Sequence, residues 1–87
     1  MDWEKYGFIA ASKFRVKVLS SLKHAKTPTQ IGREIDSSVS NVSRTLRDFT
    51  EKDIAQCMTP KARVGKIYKL TKKGQEMLDY HTKSTVG

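Results

Sequence analysis

Residues 37–49 read SSVSNVSRTLRDF, a stretch in which apolar side chains recur among short polar ones. If the stretch is helical, one face carries four apolar residues at the spacing of a buried stripe: Val39, Val42, Leu46 and Phe49. Serine and asparagine are poor residues for a helix interior, because their side chains compete with the backbone for hydrogen bonds. The polar face of this helix therefore calls for an explanation other than helix stability.

Two further helices are predicted before this stretch. The first begins after Ser12, a good N-cap residue, and continues as an amphipathic run of apolar and basic residues. The second follows Thr27 as its N-cap, with Pro28 at the first helical position, where a missing N–H costs nothing. We expect Asp36 and Ser37 to form the tight turn that leads into the third helix.

The pattern changes from helix to strand after residue 53. Residues 54–58 and 65–70 are short runs with β-branched and aromatic side chains, joined by a basic connector that contains a proline. They predict a β-hairpin. Thr71 can then cap a last helix, in which Gly74 is a mild cost because glycine favours the unfolded chain.

The composition indicates one small globular domain with a clustered positive charge. The chain has 87 residues, 37% of them hydrophobic, which argues against disorder. Its formal net charge is +8, and residues 54–74 contain six lysines and arginines and no acidic residue. Such clustering is typical of nucleic-acid binders, and the alternative is a basic surface that is merely solvated.

Several other classes of protein are excluded by the sequence. No apolar run is long enough for a membrane span, and the acidic start does not resemble a signal peptide, so a cytoplasmic protein is expected. Cys57 is the only cysteine, and His24 and His81 have no companions at metal-ligand spacing. Nucleotide-binding glycine motifs and a nucleophile–base–acid set are missing, so we expect no catalytic site, metal or cofactor and no enzymatic activity.

The order of the predicted elements, together with three motifs, resembles a known family. The motifs are TPTQIGREI at 27–35, SNVSRTLRDF at 40–49 and GKIYKLTKKG at 65–74. Residues 27–70 resemble the winged helix-turn-helix of transcriptional regulators, and residues 6–80 resemble the small MarR-like regulators common in archaea. Where that family usually has a glycine in the turn, this chain has Asp36 and Ser37.

The resemblance implies a mostly helical α+β fold with a three-helix core, a two-stranded basic wing and a C-terminal helix. The chain, 1–87, would be a single domain, divided as follows: helix-turn-helix at about 27–52, wing at about 54–70 and C-terminal helix at about 72–83. Regulators of this kind act as two-fold dimers on pseudo-palindromic DNA. The predicted dimer contacts lie in the terminal segments, at Trp3, Tyr6, Phe8, Met77 and Leu78.

The outer face of the third helix, about 39–52, is predicted to read DNA bases. With Leu46 pointing inward and about 100° between successive residues, a set of polar side chains points outward. Arginine can pair with guanine and asparagine with adenine in the major groove, and short side chains let the backbone approach the bases. The predicted base contacts are Ser40, Asn41, Arg44, Thr45 and Arg47.

Phosphate contacts are predicted on the wing and at helix ends. In the hairpin loop, about 59–66, basic side chains would meet the DNA backbone or the minor groove, which attracts arginine where it is narrow. These are Lys61, Arg63 and Lys66. At helix N-termini, where the dipole favours anions, the predicted contacts are Thr29, Gln30 and Ser38.

The function predicted from the sequence is therefore sequence-specific binding of double-stranded DNA by a nucleoid-associated transcription regulator. Two alternatives stay open at this point. An architectural DNA- or RNA-binding winged helix would use the same charge without reading a sequence. A docking module of the transcription machinery would present the winged helix to another protein.

Overall fold

The computed structural model describes residues 1–85, so that the last two residues of the predicted domain lie outside it. It contains five α-helices: α1 (Trp3–Ala10), α2 (Lys13–Ser21), α3 (Pro28–Ile35), α4 (Val39–Glu51) and α5 (Lys72–Thr85). Strands β1 (Ala55–Cys57) and β2 (Tyr68–Leu70) form an antiparallel sheet between α4 and α5. The predicted α+β, mostly helical architecture is confirmed. Among these residues, no helix combines the length and the apolar character that crossing a membrane requires.

Helix α1 is an element that the sequence did not predict. The Asp2 carboxylate caps the N-terminus of α1 by accepting a hydrogen bond from the backbone N–H of Lys5 at 3.1 Å. Aromatic residues and a central Gly7 give the segment a low intrinsic helix propensity. Tertiary packing stabilises α1 instead, because its Ile9 is buried in the core.

The starts of α2 and α3 are as predicted. Ser12 caps α2 by accepting a hydrogen bond from the backbone N–H of Arg15. Thr27 and Gln30 form a reciprocal capping box at α3, in which each side chain accepts a hydrogen bond from the other residue's backbone N–H, at 3.2 and 2.9 Å. Pro28 lies at the first helical position.

The turn between α3 and α4 depends on a close backbone approach. Asp36 adopts the left-handed conformation, with φ 54° and ψ 55°, which aspartate tolerates better than most residues. The backbone N–H of Ser37 then donates to the Gly32 carbonyl oxygen at 2.8 Å. A Cβ atom on Gly32 would lie 2.8 Å from the Ser37 carbonyl oxygen, so the turn can close because residue 32 has no side chain.

Three of the four apolar residues of α4 are fully buried, and the fourth is not. Val42, Leu46 and Phe49 have no exposed surface, whereas Val39 is 43% exposed. The prediction of a four-residue buried stripe is therefore wrong at Val39, because the first turn of α4 extends beyond the core. The buried apolar residues are Ile9, Val18, Leu19, Leu22, Ile31, Val42, Leu46, Phe49, Ile54, Ala55, Leu70, Met77 and Leu78.

The wing has shorter strands than predicted and gains an extra contact at its base. Each strand has three residues, and Cys57 lies opposite Tyr68 in the register. The backbones of Lys26 and Tyr68 also exchange two hydrogen bonds, at 3.0 and 2.8 Å. The loop between α2 and α3 therefore adds a strand-like edge to the sheet and fixes the wing against the helices.

Helix α5 closes the core from the other side. The Thr71 hydroxyl accepts a hydrogen bond from the Gly74 N–H at 3.2 Å, as expected for the predicted cap. Met77 and Leu78 are buried within this chain, so their predicted role in a dimer interface is wrong. A domain this small needs the apolar side chains of its last helix for its own core.

The Glu34 carboxylate connects α2, α3 and the loop between them. Its Oε2 accepts a hydrogen bond from the Ser21 hydroxyl at 3.0 Å and also pairs with the Lys26 ammonium group. The Lys26 hydrogen bond is the main cause that lowers the pKa of Glu34, while partial desolvation opposes it. Because Lys26 also pairs with Tyr68, this loop ties α3 to the wing.

We predict that Gly74→Ala destabilises the fold by about 1–3 kcal/mol, the usual cost of overpacking. A Cβ atom at this position would lie 2.1 Å from the Ile54 carbonyl oxygen, which is backbone and cannot swing away. Gly7→Ala is the matched control, because a Cβ atom there meets nothing within 4 Å and should stabilise α1 by about 0.5–1 kcal/mol. Urea denaturation measures both, and equal stability of the two variants would contradict the prediction.

We also predict that Glu34→Gln lowers stability by less than about 1 kcal/mol at neutral pH, since the ion pair is partly exposed. A lowered folded-state pKa means that the stabilisation is complete above 4.5, the ordinary glutamate value, and is lost as the pH falls through the folded-state pKa. Denaturation curves across this range should show the two proteins converging in acid. Glu76→Gln, at an exposed position of α5, is the matched control for the loss of one carboxylate.

Candidate nucleic-acid interface

The exposed face of α4 carries a row of polar side chains opposite its buried stripe. Ser40, Arg44 and Arg47 are exposed and recur at one-turn spacing along the helix axis. Asn41 is also exposed, but it lies at the edge of this face, beside Phe14 of α2. The structure therefore brings four of the five predicted base-contact residues to the surface of a single helix.

Thr45 is the exception among the predicted base contacts. Thr45 is only 9% exposed. It lies between the exposed polar row and the buried apolar stripe of α4, on the side that faces α2. A side chain with so little accessible surface cannot present its hydroxyl to a base edge. The prediction for Thr45 is corrected to a packing role.

A cleft of about 400 Å³ separates the start of α4 from the wing, and we call it the α4–wing cleft. Its lining residues come from α3, α4 and the hairpin: Pro28, Thr29, Val39, Ser43, Arg63, Val64, Gly65, Lys66 and Tyr68. Ser43 is exposed here, and the sequence reasoning did not select it. Its position four residues after Val39 places both on one side of the helix, and that spacing could have identified it.

The wing presents positive charge without nearby acidic groups. Lys61 and Arg63 are exposed and Lys66 is half-buried. Within residues 1–85, the ion pairs are Lys5–Asp2 and Lys26–Glu34, so the wing cations have no carboxylate within 4 Å. Their charge is therefore available for an anionic partner.

The predicted phosphate contacts at helix ends are exposed, and two of them already serve as caps. Thr29 lies in the α4–wing cleft. The Gln30 side-chain oxygen Oε1 accepts a hydrogen bond in the α3 capping box, and the Ser38 hydroxyl accepts one from the Asn41 backbone N–H at 3.2 Å. An anion would therefore meet the Gln30 amide nitrogen and the Ser38 hydroxyl proton, which are the donor ends of these groups.

Tyr68 lies where the wing meets α4. Burial raises the pKa of its phenol, neighbouring Cys57 raises it further, and the positive charge of Arg47 acts in the opposite direction. Tyr68 also lines the α4–wing cleft.

The aromatic residues of α1 differ in what surrounds them. The Phe8 ring is covered by two cations, with the Arg15 guanidinium carbon 3.8 Å and the Lys52 nitrogen 4.6 Å from its centroid. Arg15 also donates a hydrogen bond to the Phe8 carbonyl oxygen at 2.8 Å. These contacts hold the ring within the chain, so the predicted role of Phe8 in a dimer interface is not supported.

Trp3, Tyr6 and Tyr80 form an aromatic cluster at the surface, which we call the terminal aromatic cluster. Their rings meet edge to face, with centroids 5.1–6.2 Å apart. Trp3 is 59% and Tyr80 is 40% exposed. The Tyr6 hydroxyl lies 3.4 Å from the His81 Nδ1 atom, which joins α1 to α5.

The comparisons with known proteins bear on the fold. No protein-family model matches the sequence, and no curated protein sequence matches it. Solved structures do match. MarR from E. coli, in its reduced form, has a TM-score of 0.76 at 20% identity, over 92% of this chain and 61% of MarR.

Two other solved structures give the same result. The adhesin competence repressor AdcR from Streptococcus pyogenes has a TM-score of 0.73 at 19% identity, over 85% of this chain and 57% of AdcR. A mutant of Lactococcus lactis ZitR in the apo form has a TM-score of 0.67 at 16% identity, over 95% of this chain and 62% of ZitR.

This chain therefore spans about three fifths of the length of each of these proteins. All three come from bacteria, so the resemblance to archaeal regulators stays a prediction. At 16–20% identity the agreement concerns the course of the backbone. This chain has the winged helix-turn-helix fold of MarR, AdcR and ZitR.

Proposed function

We propose that this chain binds double-stranded DNA in a sequence-specific manner, regulates transcription and has no enzymatic activity. Helix α4 enters the major groove, and the wing lies on the backbone or in the minor groove. The observation that carries the proposal is the exposed row of Ser40, Arg44 and Arg47 beside a wing whose cations have no acidic partner among residues 1–85.

The dimensions and chemistry of the surface support this arrangement. A major groove about 12 Å wide admits an α-helix, provided that its outward side chains do not hold the backbone away from the bases. Ser40 and Asn41 are short, and Arg44 can present two donors to guanine at a distance. The wing supplies the phosphate neutralisation from which most of the affinity would come.

The other predicted contacts have defined places in this arrangement. Thr29, Gln30 and Ser38 would donate hydrogen bonds to phosphates from the starts of α3 and α4. Arg63, at the exposed tip of the wing, is the best placed to enter a minor groove. Such a protein would reside in the cytoplasm, associated with the nucleoid.

We also propose a two-fold dimer that buries the terminal aromatic cluster. Trp3 and Tyr80 are large, exposed and fixed by edge-to-face contacts, and aromatic residues of this kind are enriched at interfaces. A two-fold dimer would place two copies of α4 on successive turns of one DNA face, and its site would be an inverted repeat.

We predict that base-reading and phosphate-binding variants fail in different ways. Arg44→Ala should weaken binding to the preferred sequence by about 1–3 kcal/mol and relax the preference at one base pair. Lys61→Ala/Arg63→Ala should weaken binding to all sequences and make it less dependent on salt, because fewer counterions are released. Fluorescence titration at several salt concentrations, with duplexes first selected from a random pool, measures both effects.

The control is Lys23→Ala/Lys83→Ala, which removes the same charge as the wing variant. Both lysines line a groove between α2 and α5 whose lining includes no residue of α4 or the wing. The control should leave the preferred sequence unchanged and affect binding less than the wing variant.

Equal affinity of the wild type for selected and scrambled duplexes would favour the architectural alternative. Failure to bind any duplex at low salt would contradict the proposal.

We predict a dimer in solution that Trp3→Ala/Tyr80→Ala converts to a monomer. The substitution removes two exposed aromatic anchors, and hot-spot residues of this type often cost 2 kcal/mol or more on truncation, about a thirtyfold loss of affinity. Sedimentation equilibrium at micromolar concentration measures the change. Met58→Ala, which truncates a 46% exposed apolar residue on the wing side, is the control and should remain dimeric. A monomeric wild type would contradict the prediction.

A further inference from the structure

Val39 is an exposed apolar side chain at the start of α4, and across the α4–wing cleft it faces the wing, where Val64 is also exposed. Val39 begins α4 and lines the α4–wing cleft together with the hydroxyl residues Thr29 and Ser43. The core does not account for it, since 43% of the residue is exposed while the next residues of the stripe have no exposed surface. The first residues of a recognition helix are those that contact base edges, so Val39 stands at the position where a base would be met.

The Val39 side chain is held in place on one side and open on the other. A Cβ atom built on Gly32 would lie 3.7 Å from the Val39 Cγ2 atom, which places this methyl group over the glycine backbone of α3. A valine in a helix also has one strongly preferred rotamer. The open side of Val39 is therefore a fixed apolar surface in the cleft. Its side chain loses little conformational freedom when a ligand binds there.

Ser43 lies one helical turn after Val39 on the same side of α4. Residues four apart on a helix have their Cβ atoms about 5–6 Å from each other, close enough for both side chains to meet one base. Ser43 is exposed and lines the same cleft, so its hydroxyl can donate a hydrogen bond to a ligand there. The pair thus offers an apolar contact next to a hydrogen-bond donor.

We propose that Val39 and Ser43 together read one thymine in the major groove. Val39 contacts the 5-methyl group, and Ser43 donates a hydrogen bond to O4 on the adjacent ring carbon. Among the four bases, thymine is the one that presents a methyl group beside an acceptor in this groove. The inference rests on the proposed DNA binding and assigns a specific base to the α4–wing cleft.

The test removes the thymine 5-methyl group and the Val39 methyl groups separately. In the selected duplex, each thymine is replaced in turn by uracil, which lacks only the 5-methyl group. At one position of each half-site the wild type should lose about fourfold in affinity, the value expected for returning one methyl group to water. Val39→Ala should bind the thymine duplex more weakly and show no further loss with uracil at that position.

Three other variants sharpen the interpretation. Ser43→Ala should weaken binding to the thymine and the uracil duplex by the same factor, because both bases carry O4. Met58→Ala changes an apolar residue of similar exposure outside the cleft and should keep the full effect of uracil. Val39→Thr preserves the shape that packs on Gly32, so it also tests the methyl contact if Val39→Ala proves unstable in thermal denaturation.

Two results would overturn the inference while leaving DNA binding in place. In the first, uracil weakens binding at no position of the site, which would leave Val39 with packing on Gly32 as its only role. In the second, Val39→Ala and Val39→Thr both keep the full sensitivity to uracil. Failure to bind any duplex would instead refute the proposed function, so the two failures are distinguishable.

Discussion

The burial of Val42, Leu46 and Phe49 beneath α4 is the interaction on which the rest of the structure depends. Each fully buried side chain of this kind contributes about 1.5–3 kcal/mol, a large share of the 5–15 kcal/mol that typically stabilises a domain. Burial also fixes the rotation of the helix about its axis. Because successive residues are about 100° apart, holding this stripe inward forces Arg44 and its neighbours in the row outward. The exposed polar row of α4 is therefore a geometric consequence of the core.

Backbone contacts then decide where the wing and the start of α4 lie. The turn into α4 closes over Gly32, and α5 approaches the chain at Ile54 because Gly74 has no side chain. At the base of the wing, the backbone of Lys26 pairs with Tyr68. The position of the wing relative to α4 is therefore set by main-chain contacts at its base, and the loop at its tip remains available to carry charge.

Positive charge and uncharged hydrogen-bonding groups lie on different elements of the surface. Residues 54–74, which include the wing, contain six basic residues and no acidic one, while the start of α4 offers hydroxyls, an amide and one exposed valine. Phosphate neutralisation is insensitive to sequence, and discrimination between bases needs donors, acceptors and methyl contacts. In the proposed function these two tasks fall to different elements, which can be altered independently.

The sequence by itself determined the helices with clear caps, the hairpin and the outward row of α4, because local hydrogen bonding and apolar periodicity act over a few residues. Ser12, Thr27 and Thr71 cap helices as predicted. The tertiary structure alone decided which members of a periodic set have neighbours to pack against. Thr45 is buried by the proximity of α2, and Val39 is exposed because the core ends before the first turn of α4.

The same reason accounts for the ends of the chain. Helix α1 has a low intrinsic propensity and forms because Ile9 reaches the core, a contact between distant segments that no local pattern records. Met77 and Leu78 have the spacing of an amphipathic helix, which predicts that they are buried but not against which surface. That choice depends on what α5 meets after folding, and here it meets its own domain.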